Sequence, residues 1–169
     1  MSNPDDLKRK YSYMFSGQHI ALSFYRGWHA LLEQLCKDID LLLGEDKRDF
    51  HWVQIKEKLG TIRLYWRIED LAPATRLTVI SSDGTSADFE IVGAKPRHSL
   101  EVEEQVLREK ISTLIDEAEA ATFHICMACG SPGKQRRFRG YIVTLCDEHA
   151  RQRSKGIDPG YWFDASEGG

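Results

Sequence analysis

Residues 126–153 read CMACGSPGKQRRFRGYIVTLCDEHARQR, and this stretch decides how the carboxy-terminal part of the chain folds. Cys126 and Cys129 are separated by two residues and followed by Gly130, which lets the backbone turn tightly so that both sulfurs face one point. Sixteen residues intervene before Cys146 and His149, which stand at i and i+3. A helix starting near Cys146 would put that pair on one face of its first turn. Two ligand pairs at this spacing describe a metal site of three thiolates and one imidazole. The shell is closed, which predicts a structural Zn2+ rather than a hydrolytic one, because a catalytic zinc keeps a position open for water. Iron is the alternative ion for a mixed sulfur and nitrogen shell.

Between the ligand pairs lie a Ser-Pro-Gly turn, a polar strand-like run and the apolar strand YIVTL. Knuckle, hairpin and ligand-bearing helix are the parts of a treble-clef-like zinc finger, which residues 124–154 resemble. His124, two residues before Cys126, could compete for the ion, and His149 is the favoured ligand. The other histidines, His19, His29, His51 and His98, have no partner at ligand spacing. Cys36 falls within a helical apolar pattern and is read as a buried, inert thiol. Disulfides are the lesser reading of four cysteines in a chain with no sign of secretion.

Upstream, RGWHALLEQLCKDIDLLLG places Trp28, Leu31, Leu32, Leu35, Ile39, Leu42 and Leu43 at three- and four-residue steps, which predicts a helix ended by Gly44. FSGQHIALSFY is apolar without a clean period and reads as a short strand or an extended arm. In DFHWVQIKEKLGTIRLYWRIED, period-two alternation on both sides of KLG predicts a hairpin with Val53, Ile55, Ile62, Leu64 and Trp66 inward. A second hairpin follows in RLTVISSDGTSADFEIV, turning at Asp83 and Gly84, with Leu77, Val79, Phe89 and Ile91 inward. The two hairpins together predict an antiparallel sheet of about four strands. A second helix follows, capped by Ser99 and packing on Val106 or Leu107, then Ile111, Leu114, Ile115 and Ala118.

The fold class expected is therefore α+β: that sheet, two helices and a carboxy-terminal treble-clef-like zinc finger. The division expected is an α+β body over 1–122, the finger over 123–155 and a tail over 156–169, whose Tyr161, Trp162 and Phe163 could pack back or meet a partner. With 169 residues, the chain is long enough for one core and a satellite. No apolar run reaches membrane-spanning length and the first residues lack a leader pattern, so a soluble, cytoplasmic protein with no membrane partner is expected.

The formal net charge of −3 conceals a segregation. Residues 124–155 hold seven cations against Asp147 and Glu148, a net of +5, so the remainder carries −8. A basic finger on an acidic body predicts that this end meets an anion: nucleic acid, an acidic protein surface, or its own body. Lys134, Arg136, Arg137, Arg139, Arg151 and Arg153 are the candidate anion contacts, with Phe138 or Tyr141 available to stack on a base. A second candidate surface is the outward side of the first hairpin, with Lys56, Lys58, Arg63 and Arg67.

Several catalytic schemes lack their residues. No histidine is followed two positions later by Glu, so a deaminase signature is missing, and there is no H-E-x-x-H. GSPGK lacks the spacing of a phosphate-binding loop. Glu45, Asp46 and Lys47 could suit a metal-dependent nuclease, with a solvated loop cluster as the plainer reading.

The blocks GWHALLEQLCKDID, VQIKEKLGTIRLYW, CMACG and TLCDEHA together resemble a family of small bacterial and prophage proteins with a GW helix, a QxKEKxGxxRxY hairpin and a carboxy-terminal zinc finger. The resemblance covers residues 27–68 and 124–150 and implies a phage or mobile-element setting, without an activity to transfer. The function expected is a non-enzymatic binding protein that engages nucleic acid through its basic finger. The alternatives are a protein-binding inhibitor or adaptor using the acidic body and aromatic tail, and the nuclease.

Overall fold

A computed structural model describes residues 4–17, 19–45, 47, 50–68, 74–80, 86–92, 102–157 and 162–164. In chain order these form α1 (Pro4–Lys10), α2 (Ser12–Phe15), β1 (Ala21–Tyr25), α3 (His29–Leu43), β2 (His51–Lys58), β3 (Thr61–Arg67), β4 (Ala74–Ile80), β5 (Ser86–Val92), α4 (Val102–Ala121), β6 (Lys134–Phe138), β7 (Tyr141–Leu145), α5 (Asp147–Ser154) and β8 (Trp162–Asp164). This is a mixed α+β chain with small sheets. The turn at Asp83 and Gly84, the cap at Ser99, and Asp46, His98 and Tyr161 lie outside the described residues.

The apolar repeat after Trp28 becomes α3, whose buried face is Leu32, Leu35, Cys36, Ile39 and Leu43, and whose end is Gly44 at φ 68°. Trp28 itself closes a 3-10 turn, Arg26–Trp28, and is fully buried. The helix carries the chain back along β1, so β1 and β2 pair in parallel, Ala21 opposite Gln54 and Leu22 opposite Ile55. Parallel neighbours need such a crossover, whereas a tight turn would have forced them antiparallel. β8 pairs antiparallel with β1 on its other side, Ser23 opposite Asp164, giving the order β3-β2-β1-β8.

That sheet corrects the expected one. Four strands do share a sheet, but only the first hairpin belongs to it, while β4 and β5 pair with each other in a separate two-stranded sheet. The third strand is β1, in which Leu22, Ser23 and Phe24 are buried in succession. A strand covered on both faces shows no alternation, which is why FSGQHIALSFY carried no period. The helices α1 and α2 were also unanticipated; they place Leu7, Met14 and Phe15 in the core, with Tyr11 between them.

The first hairpin turns at Leu59 and Gly60, both at positive φ (54° and 79°), as a two-residue turn of the primed type requires. A register shift between Trp52 and Gln54 then alters the inward set. Trp52 and Ile55 are fully buried and Val53 is only half-buried, because one extra residue at a bulge moves a side chain off its expected face. Phe50 stacks on Trp66 at 5.6 Å and meets Trp52 edge-on at 5.2 Å.

Helix α4 buries Ile111, Ile115 and Ala118 and packs Leu107 and Leu114 against the same core, leaving Val106 41% exposed. Its last turns also close the free edge of β3. The Leu64 amide donates to Glu119 Oε1 at 2.7 Å, and the Ile62 amide to Thr122 Oγ1 at 3.2 Å. Edge amides left without partners in a buried setting would be costly, and Glu119 in the last turn of α4 and Thr122 just beyond it supply what a further strand would have supplied. No helix among the described residues is long and apolar enough to cross a membrane.

Candidate metal centre and the basic hairpin

From α4 the chain passes through a 3-10 turn, Thr122–His124, directly into the knuckle. There the Cys126 amide donates to Ser131 O at 2.8 Å, the Gly130 amide to Cys126 O at 2.8 Å, and the Gly133 amide to His124 O at 2.8 Å. These bonds fold residues 126–130 so that both cysteines point the same way. Strands β6 and β7 follow as an antiparallel pair, and Cys146 stands at the N-cap of α5 with its carbonyl accepting from the Ala150 amide at 2.9 Å. His149 therefore lies on the first turn of that helix, beside Cys146.

One ligand atom from each of Cys126, Cys129, Cys146 and His149 lies within 4.8 Å of the others. Cys129 Sγ is 3.9 Å from Cys146 Sγ, and His149 Nδ1 is 3.7 Å from Cys126 Sγ and 3.1 Å from Cys146 Sγ. Metal–sulfur bonds of about 2.3 Å and metal–nitrogen bonds of about 2.0 Å give a tetrahedron with edges of about 3.8 Å and about 3.5 Å. Two of the three separations match these edges and the third is short of its edge by about half an ångström, so the donor set fits a tetrahedral metal. His124, exposed on the surface, is not part of the cluster.

Burial pushes the Cys126 thiol up to about 11. The Cys129 thiol lies below its ordinary value: burial opposes this, and hydrogen bonding to Ser131 and to the facing sulfurs outweighs it. A metal is the natural partner for sulfurs gathered this closely, since binding replaces the thiol protons. Cys36, by contrast, is buried among apolar side chains, and burial pushes its thiol up to about 12, as expected of an inert position.

The centre is bonded to the body at two glycines. The Gly27 amide donates to Met127 O at 2.9 Å, and Trp28 Nε1 to Ile125 O at 3.4 Å. A β-carbon on Gly27 would lie 2.0 Å from the carbonyl oxygen of Cys126, so no other residue fits there. On the other side Thr144 Oγ1 donates to Gly60 O at 2.8 Å and Gln135 Nε2 to Leu59 O at 2.9 Å, while a β-carbon on Gly60 would lie 2.9 Å from Val143 Cα. The GW and KLG sequences are thus two of the places where the Cys/His cluster and its hairpin meet the rest of the chain. Cys126, Met127, Val143 and Leu145 belong to the same core as Trp28, Leu64 and Ile111.

The structure divides the basic residues that the sequence grouped together. Arg136 pairs with Asp147, Arg151 Nη1 lies 2.7 Å from Glu148 Oε2, and Arg153 lies over the Phe138 ring at 5.9 Å. The acids that neutralise two of them were visible in the sequence at the first turn of α5. Lys134, Arg137 and Arg139 stay exposed, with no acidic partner among the described residues. Tyr141, at the hairpin tip, is 71% exposed, while Phe138 is half-buried. On the first hairpin, Arg63 Nη1 sits 3.4 Å from Glu119 Oε2 in a nearly buried pair, and Lys56 lies over the Tyr65 ring at 5.0 Å. Lys56 and Arg63 stand opposite one another across the hairpin, Lys58 lies beside the turn, and Arg67 is at the far end. Glu119 and Thr122 were not anticipated as contacts; their signal is a pair of hydrogen-bonding side chains on an otherwise apolar stripe, four residues after Ile115 and Ala118 respectively.

Comparison with family models, with curated proteins and with solved structures gives no match to this chain.

Proposed function

We propose that the chain is a zinc-stabilised, non-enzymatic binding protein that engages single-stranded nucleic acid through the tip of its β6–β7 hairpin. Three sulfurs and one imidazole nitrogen favour zinc, and with all four tetrahedral positions filled by protein the ion shapes the module without offering a site for water. The order of knuckle, hairpin and ligand-bearing helix supports the treble-clef description. The prophage setting implied by the resemblance of the GW, hairpin and finger blocks belongs to the same reading.

The observation that carries the proposal is the tip itself. Arg139 and Gly140, both at positive φ (47° and 89°), form a two-residue turn, and Tyr141 stands exposed beside them. On β6, Arg137 adds an exposed cation near the tip, on the hairpin face opposite Tyr141, and Lys134 another at the far end of the strand. An exposed ring next to a turn cation, with further unpaired cations on the same hairpin, matches how single strands are held, by stacking on an aromatic face and attraction of the phosphates. Asn and Gly are the residues such a turn favours at its first position, so an arginine there carries backbone strain without a packing return.

Fluorescence anisotropy with a labelled single-stranded oligonucleotide, titrated over a range of salt concentrations, tests the proposal. Binding should weaken steeply with salt, and Tyr141→Ala should cost about 1–3 kcal/mol of affinity. Equal binding by native chain and a Tyr141→Ala, Arg137→Glu double variant would sink the proposal.

A further inference from the structure

On the side of the molecule formed by α3 and α4, an apolar groove of about 780 Å³ runs between the two helices. Leu41, Leu42, Val106 and Leu114 line it, and Leu41 is 69% exposed, an unusual state for a leucine on a helix whose other face is fully buried. The α4 side extends from Val106 to Glu117, about 16 Å of helix or three turns. The charged residues of the groove are Asp38, Glu109 and Glu117 against Lys110 alone. Asp38 accepts from Gln34 Nε2 at 2.8 Å and Glu109 from Gln105 Nε2 at 3.2 Å, both neutral donors. No ion pair among the described residues neutralises any of the three carboxylates.

From this combination we infer that the α3–α4 groove binds a basic amphipathic helix of another protein. Its apolar side would lie over Leu41 and Val106, and lysines or arginines along its flanks would meet the three carboxylates. An apolar trough three turns long suits the helix-in-groove mode of recognition, and the uncompensated acidic rim selects the sign of the partner. The groove is separate from the hairpin tip, so this inference stands whether or not the finger binds nucleic acid.

The test uses the full chain with its metal and two labelled synthetic helices of about 18 residues, one of leucine and lysine and one of leucine and glutamate in the same pattern. The Leu/Lys peptide should bind at least about tenfold more tightly than the Leu/Glu peptide, and hydrogen exchange should slow along the last turns of α3 and along α4 from Val106 to Glu117. Leu41→Lys should weaken binding about tenfold with an unchanged melting temperature, because the side chain is already exposed. Glu117→Lys provides a second surface change should the first disturb folding, and it should weaken binding in the same direction. Equal binding of both peptides, or full binding by both variants, would overturn the inference. So would self-association abolished by Leu41→Lys, which would make a second copy the occupant, or protection of the groove in the free chain, which would mean the chain fills it.

Discussion

Arg139 sits in a left-handed conformation that costs a side-chain-bearing residue about 1–2 kcal/mol. Asn tolerates that conformation better, so Arg139→Asn should raise stability by about 0.5–1 kcal/mol while weakening oligonucleotide binding, as denaturant melts and anisotropy would show. A fall in both would mean that the arginine is there for the fold. Gly27→Ala should act in the opposite sense, since its β-carbon has no room beside the Cys126 carbonyl. We expect a loss of about 3 kcal/mol in urea unfolding, with reduced retention of metal. Asp40 gives a pH dependence. Burial would raise its carboxyl, but Lys47 Nζ at 2.8 Å and Tyr13 Oη at 2.7 Å outweigh this and hold it below the ordinary value. A lowered carboxyl stabilises the fold above its unfolded value, about 3.9, and that stabilisation disappears as pH falls through the folded value. With both side chains of the ion pair about one-third exposed, the contribution is below about 1 kcal/mol. The unfolding midpoints of native chain and Asp40→Asn should therefore differ at pH 7 and converge in acid.

At the scale of elements, the contact between α4 and β3 holds the sheet edge. Glu119→Ala removes the acceptor of the Leu64 amide and the carboxylate beside Arg63 in a nearly buried setting, and should cost about 3–5 kcal/mol in thermal or denaturant unfolding. A cost below about 1 kcal/mol would show that water reaches this edge freely. The contact also marks a limit of reading the sequence. The repeat of α3, the two hairpins, the core stripe of α4 and the gathering of Cys126, Cys129, Cys146 and His149 were legible because each is a local period or spacing. β1 was not, since burial on both faces erases its alternation, and its parallel pairing with β2 depends on where α3 returns the chain. The bulge at Val53 shifted the inward set without a Gly or Pro to announce it. Among the arginines, spacing showed a cluster, and only the geometry of α5 showed that Arg136 and Arg151 are already paired.

For the whole molecule, the Cys/His cluster is continuous with the common core. Cys126 lies in the common core, Trp28 donates to the Ile125 carbonyl, and Gly27 and Gly60 let the backbones around Cys126 and Val143 approach without a gap. Structural zinc sites supply folding free energy of about 10 kcal/mol or more in small fingers, so an ion placed at such a junction should stabilise residues far from it. The most direct measurement is an equilibrium chelator titration of the reduced native chain, following released metal and tryptophan fluorescence in the same sample. A single zinc ion per chain should be released, and the fluorescence change reporting Trp28 and Trp52 should follow its release. A chain purified without a transition metal, or one that loses its ion with the tryptophan signal unchanged, would contradict the account.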